Sequence, residues 1–154
     1  MSRVEKPSVL LADDNEATCT LLTALLHRDF NIETALDGRE TIQRLRTRRY
    51  AVLLLDLRMP YADGFDVLEF LKEHQPAMLP RVLVVTAAVS SRDLQRAASY
   101  GVCGVITKPF EVETLLATVK TCASVDDGNP LGPMLCTSGP VILFLADLLR
   151  QRLM

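Results

Sequence analysis

The sequence predicts an α/β fold built on a parallel sheet, and three observations carry that prediction. Short aliphatic runs alternate with amphipathic stretches from the first residues to about residue 124. The alternation repeats five times, as a (βα)5 chain would. The runs also lack polar alternation, which suits strands covered on both faces. At 154 residues and 49% hydrophobic content the chain can bury one real core, so one compact domain is expected.

The strands are predicted at Ser8 to Ala12, Ile32 to Ala35, Val52 to Asp56, Arg81 to Thr86 and Gly104 to Thr107. Between the first two, a helix from about Asn15 to His27 sets Leu21, Leu22, Leu25 and Leu26 on one face. The second helix follows the turn Asp37-Gly38 and directs Ile42 and Leu45 inward. Asp63-Gly64 opens the third, which carries Phe65, Leu68 and Leu71. "SSRD" opens the fourth with capping-box spacing between Ser90 and Asp93, and Tyr100-Gly101 closes it. The fifth is expected to bury Val112, Leu115, Leu116 and Val119. Residues 1–124 thus form the domain. Residues 125–140, rich in Pro and Gly, read as a linker, and 141–154 as a short apolar C-terminal helix or tail.

A net charge of −2 gives no electrostatic reason to expect nucleic acid or an anionic membrane as partner. Cys19, Cys103, Cys122 and Cys136 show neither metal-ligand spacing nor the density of a secreted scaffold, so reduced thiols are expected. The apolar run at the start is too short for a signal peptide, and no stretch reaches the roughly 18 apolar residues of a membrane span. These features point to a cytoplasmic location.

In an open parallel sheet the ligand site lies outside the carboxyl ends of the strands. There the first strand runs into Asp13-Asp14, the third into Asp56, the fourth into Thr86 and the fifth into Lys108-Pro109. Three neighbouring carboxylates repel one another unless a cation sits among them, and Mg2+ suits such an oxygen set. Beside a cation and a lysine, an aspartate can act as a nucleophile towards phosphorus. Lys108 would offset charge on the phosphoryl oxygens, and the Thr86 hydroxyl could donate to one of them. Taken singly, each residue has an ordinary explanation: an N-cap for Asp13-Asp14, a strand position for Thr86, a solvated amine for Lys108. The signal is their conjunction at successive strand ends.

"LLADDN" at 10–15, "LLLDLRMPYADG" at 53–64, "VVTA" at 84–87 and "GVITKPFE" at 104–111 resemble the receiver domain of two-component response regulators, of the single-domain CheY-like kind. The resemblance covers residues 7 to 124. It implies a flavodoxin-like doubly wound sheet with five parallel strands in the order 2-1-3-4-5. It implies Asp56 as the phosphoacceptor, taking a phosphoryl group from a phosphohistidine of a sensor histidine kinase or phosphotransfer protein. It implies Mg2+ held by Asp13, Asp14, Asp56 and the backbone carbonyl of Arg58, with Thr86 and Lys108 contacting the phosphoryl group. It also implies a cis peptide at Pro109. Such a protein is not an enzyme beyond accepting and losing its own phosphoryl group. Its output is a changed surface for a downstream protein.

The chain departs from that pattern at Val105, where many receivers carry a Tyr or Phe that swings inward on activation. Valine is stiff and has no ring to relocate. Arg58 either lies in solvent or reaches over the site, while Ala87 and Ala88 leave the opposite rim uncrowded. "RLRTRR" at 44–49 is either a solvated helix end favoured by the helix dipole or a docking surface for an acidic partner. The thirty residues after 124 are too few for a winged-helix or helix-turn-helix output domain. For the apolar tail three roles are open: packing on its own domain or in a homodimer, docking to another protein, and membrane-surface contact. Two arginines and no lysine make the last the weakest. Two further functions stay in view, a receiver-like module that works without phosphorylation and an aspartyl-phosphate phosphatase of the haloacid dehalogenase type. The phosphatase would need an acid where Arg58 stands.

Overall fold

The computed structural model describes residues 5–87 and 90–124. Five strands, Ser8–Ala12 (β1), Asn31–Ala35 (β2), Val52–Leu55 (β3), Val82–Thr86 (β4) and Gly104–Thr107 (β5), pair in parallel in the order β2-β1-β3-β4-β5. Helices Glu16–Leu26 (α1), Gly38–Thr47 (α2), Gly64–His74 (α3), Ser91–Ser99 (α4) and Val112–Ala123 (α5) alternate with them. The expected doubly wound (βα)5 sheet is present. The linker and apolar tail expected at 125–154 lie outside the described residues, as does Ala88.

Period-two alternation sends successive strand residues to two cores. Val9, Leu11, Val52, Leu54, Leu83, Val85 and Ile106 pack against α1 and α5 through Leu22, Leu26, Leu115 and Val119. Leu10, Ala12, Leu53, Leu55, Val82, Val84 and Val105 pack against Leu45, Leu68, Leu71, Leu94 and Ala97 of α2, α3 and α4. All four residues of β3 are fully buried. Each such Leu or Val stabilises the fold by about 1.5–3 kcal/mol, so β3 is firmly held and gives Asp56, the residue after it, a rigid mount.

The helix starts are fixed by their caps. Asn15 accepts from the Thr18 N–H, Asp37 from Glu40, and Ser90 from Asp93. Asp63 and Asp66 form a reciprocal capping box on α3. Three elements differ from expectation. Leu21 is 49% exposed because it lies on the side of α1 away from the buried Cys19, Leu22 and Leu26, and Val112 is 41% exposed as the first residue of α5, ahead of its buried residues. A 3-10 helix at Pro76–Arg81 precedes β4 and takes Arg81 from the predicted strand. Pro76 and Pro80 suit that tight, short geometry.

Cys103 and Cys122 form a disulfide with Cα atoms 6.0 Å apart, which corrects the expectation of reduced thiols for that pair. They are 19 residues apart in sequence, and the return of α5 along the sheet brings its last turn to the residue before β5. Cys19 is free and buried, and Cys136 lies outside the described residues. No helix among the described residues is long and apolar enough to cross a membrane.

Candidate functional site

Asp13, Asp56 and Lys108 each sit one hydrogen-bonded step past a strand, and Thr86 is the last residue of β4. The Asp13 N–H donates to Ala35 O (3.1 Å), that of Asp56 to Ala12 O (2.9 Å), and that of Lys108 to Thr86 O (2.8 Å). The sheet ladder therefore fixes the backbone of all three residues, although β3 itself ends at Leu55. The peptide between Lys108 and Pro109 is cis.

The side chains converge. Asp56 is buried, and its Oδ1 accepts from the Arg58 N–H (3.1 Å) and from the fully buried Thr86 hydroxyl (3.0 Å). Its Oδ2 faces Lys108 Nζ at 3.6 Å. Lys108 donates at 2.6 Å to Asp13 Oδ2, whose other oxygen accepts from the Asn15 N–H at 2.9 Å. Asp13 is buried and Asp14 is exposed. One carboxylate oxygen from each of Asp13, Asp14 and Asp56 lies within 4.8 Å of the others.

Burial pushes the Asp56 carboxyl above its ordinary value, with Asp13 adding to the rise, against the opposing pull of the Arg58 N–H, Lys108 and Thr86. For Lys108, burial alone would lower the amine, but the Asp13 hydrogen bond and the Asp13 and Asp56 charges outweigh it and hold it above its ordinary value. One amine thus bridges two buried acids. The set of three hard oxygen donors, with more negative charge than a single lysine balances, fits a small divalent cation such as Mg2+.

A cleft of about 570 Å³ opens beside the acids, walled by Asp14, Arg58, Asp63, Phe65, Asp93 and Arg96. The Arg58 side chain is exposed on this wall, and Arg96 lies 4.1 Å over the Phe65 ring. Ala87 is exposed on the rim beyond Thr86. Val105 is buried in the core on the α4 side, paired in register with Val84, two residues before Thr86. It lies below the rim and touches none of the acids through a polar group.

Residues 9–120 match the response regulator receiver domain family. The chain belongs to the response regulator receiver family. Response regulator ArlR of Staphylococcus aureus is 26% identical over 113 residues, a match covering 73% of this chain and 50% of ArlR. The chain thus spans about half the length of the curated relatives it matches. The non-phosphorylated HemR receiver domain from Leptospira biflexa superposes with a TM-score of 0.71 at 27% identity, covering 79% of this chain and 97% of that one. The Francisella response regulator 1452 receiver domain gives 0.70 at 26%, covering 77% and 97%. A CheY-like receiver from Methanospirillum hungatei shares the fold at 22% identity, with a TM-score of 0.71 and coverage of 77% and 94%.

Receivers are signalling modules that interact with sensor histidine kinases and bind Mg2+ at an acidic site. Membership removes the phosphatase alternative, which already lacked its second acid at Arg58. The sequence reading missed one contributor to this receiver's site, Gly64. A Cβ on Gly64 would lie 2.5 Å from Asp56 O and 2.6 Å from Leu57 Cα, so only glycine lets α3 start against the backbone of the loop that opens at Asp56. The motif "ADG" signals a helix start; the close approach behind it is a tertiary fact that no local pattern carries.

Proposed function

We propose that this receiver is a phosphorylation-controlled switch in which Asp56 accepts a phosphoryl group from a phosphohistidine of a sensor kinase or phosphotransfer protein. The observation that carries the reading is the asymmetry of the Asp56 carboxylate. Oδ1 is held by two donors, while Oδ2 is turned to Lys108. In the transfer an Asp56 oxygen forms a bond to phosphorus as the phosphorus–nitrogen bond breaks. The electron pair returns to the imidazole, which takes up a proton from solvent. Lys108 offsets charge on the phosphoryl oxygens, and Thr86 and the Arg58 N–H supply hydrogen-bond donors. Asp13, Asp14, Asp56 and the Arg58 carbonyl would hold Mg2+, which supplies further neutralisation of the transferring group when bound. Hydrolysis of the acyl phosphate resets the switch. The output is a changed protein-binding surface.

The test is incubation with Mg2+ and a small acyl phosphate donor, followed by intact mass measurement. One hydroxylamine-labile phosphoryl adduct is expected, absent in Asp56→Asn and without Mg2+. An unmodified wild-type protein under these conditions would replace this reading with that of a phosphorylation-independent interaction module.

A further inference from the structure

At the opposite pole of the sheet from Asp56, a cleft of about 880 Å³ runs between the end of α2, the end of α3 and the entries to β3 and β4. Four arginines, Arg46, Arg48, Arg49 and Arg81, line it together with His74, and no acidic residue does among the described residues. The stretch "RLRTRR" supplies three of the four, and the 3-10 helix before β4 brings the last from more than thirty residues away. Leu45, Met78 and Tyr50 are buried and form its apolar floor.

We propose that this cleft is a docking site for an acidic segment of a partner protein, one that sets carboxylates on either side of an apolar side chain. Charge complementarity carries the choice. Arg48 is already paired with Glu33 at 2.6 Å, and Arg46 lies 5.2 Å over the Phe70 ring. Arg46 and Arg49 are exposed, and neither has an ion pair among the described residues. A planar guanidinium matches a carboxylate in two parallel hydrogen bonds, so exposed arginines around an apolar floor fit an acidic peptide. A membrane surface is too flat to reach that floor. A long polyanion would meet the rest of a chain whose net charge is −2.

The site is spatially separate from the phosphoacceptor. From Ala51 to Asp56 is five residues of extended chain, about 16 Å at 3.3 Å per residue. No ion pair among the described residues joins the acids of one pole to the arginines of the other. Both poles can be occupied together, and the docking does not depend on the chemistry of Asp56.

The test uses the full chain and a fluorescent peptide in which Glu and Asp flank a single Leu, titrated by anisotropy. Binding is expected to weaken about tenfold or more in Arg46→Glu/Arg49→Glu, the loss of charge-assisted contacts. It is expected to persist in Arg92→Glu, a control outside the cleft, and to weaken when the Leu of the peptide becomes Ser. Circular dichroism and acyl phosphate labelling of Asp56 should be unchanged in both variants. Absence of peptide binding, equal loss in the control variant, or tighter binding to a charge-matched oligonucleotide or to anionic vesicles would overturn the proposal.

Discussion

Replacing Lys108 by methionine tests whether the amine holds the acidic site together before a metal enters. Methionine keeps the apolar stem and deletes the charge. Lys108 bonds Asp13 at 2.6 Å, and their side chains are 20% and 3% exposed. Breaking a buried pair from one side costs about 3–5 kcal/mol, and water reaching the partly exposed lysine reduces this to about 2–3 kcal/mol. Urea unfolding near neutral pH in chelator should show that loss. Excess Mg2+ should then stabilise Lys108→Met more than wild type, because the cation replaces the missing amine. At about 100 times its dissociation constant a ligand adds about 2.7 kcal/mol, enough to recover most of the deficit. Asp13→Asn keeps an oxygen for the Asn15 N–H, so a double-mutant cycle with Lys108→Met isolates the pair and should give at least about 1 kcal/mol of coupling. The pH dependence has a fixed sign. The amine is held above its ordinary 10.5, so its contribution is fully present below that value and is lost as the pH rises through the higher folded-state value. A deficit of equal size with and without Mg2+, or no coupling in the cycle, would refute the bridging role.

Gly64→Ala should lose about 1–3 kcal/mol by overpacking and slow acyl phosphate labelling of Asp56, since the new methyl group must displace the backbone of Asp56 and Leu57; urea midpoints and intact mass measure the two effects. Cys19, raised to about 11 by burial and by the nearby Asp13 carboxylate, should resist iodoacetamide at pH 8 in the native state and react once urea unfolds the chain. Reduction of the Cys103–Cys122 disulfide, or its replacement by Cys103→Ala/Cys122→Ala, should lower stability by about 3 kcal/mol, the value for a loop of this size, read from the shift in urea midpoint.

The features that were legible in the sequence are those encoded by local patterns. The aliphatic run at 52–55 announces a doubly covered strand, and it is fully buried. Asp56, Thr86 and Lys108 follow such runs, and parallel topology sends all strand ends to one rim. The turns Asp37-Gly38 and Asp63-Gly64 and the Ser90–Asp93 spacing announce helix starts, and Asp37, Asp63 and Ser90 accept capping bonds there; the cap of α1 is Asn15, not Asp13 or Asp14. The features missed depend on which segments meet. Leu21 and Val112 are apolar at helical spacing, and only the docking angle of each helix decides that they face outward. The Cys103–Cys122 pairing requires knowing where α5 ends on the sheet. The sequence stretch 44–49 shows its arginines, but the cleft exists only because Arg81, His74 and Met78 arrive from elsewhere.

The same geometry constrains how modification of Asp56 can be read out. Thr86 is the one hydroxyl joined to Asp56 among the described residues, and its backbone is the last step of β4 before the segment that leads to α4. A receiver with an aromatic at position 105 can move a ring between two pockets when that hydroxyl shifts. Here the residue is valine, 2% exposed, with Leu94 and Ala97 in the same core. A β-branched side chain in a close-packed core has one comfortable rotamer and no second pocket to fill. Any displacement of Thr86 must then pass along the main chain into the start of α4, whose exposed cap Ser90 and first-turn Asp93 hold its entry. The informative variant is therefore Val105→Phe. It adds bulk between Val84 and α4 without touching the acids, so phosphoryl acceptance at Asp56 should persist while the stability of the α4 face falls by about 1–3 kcal/mol.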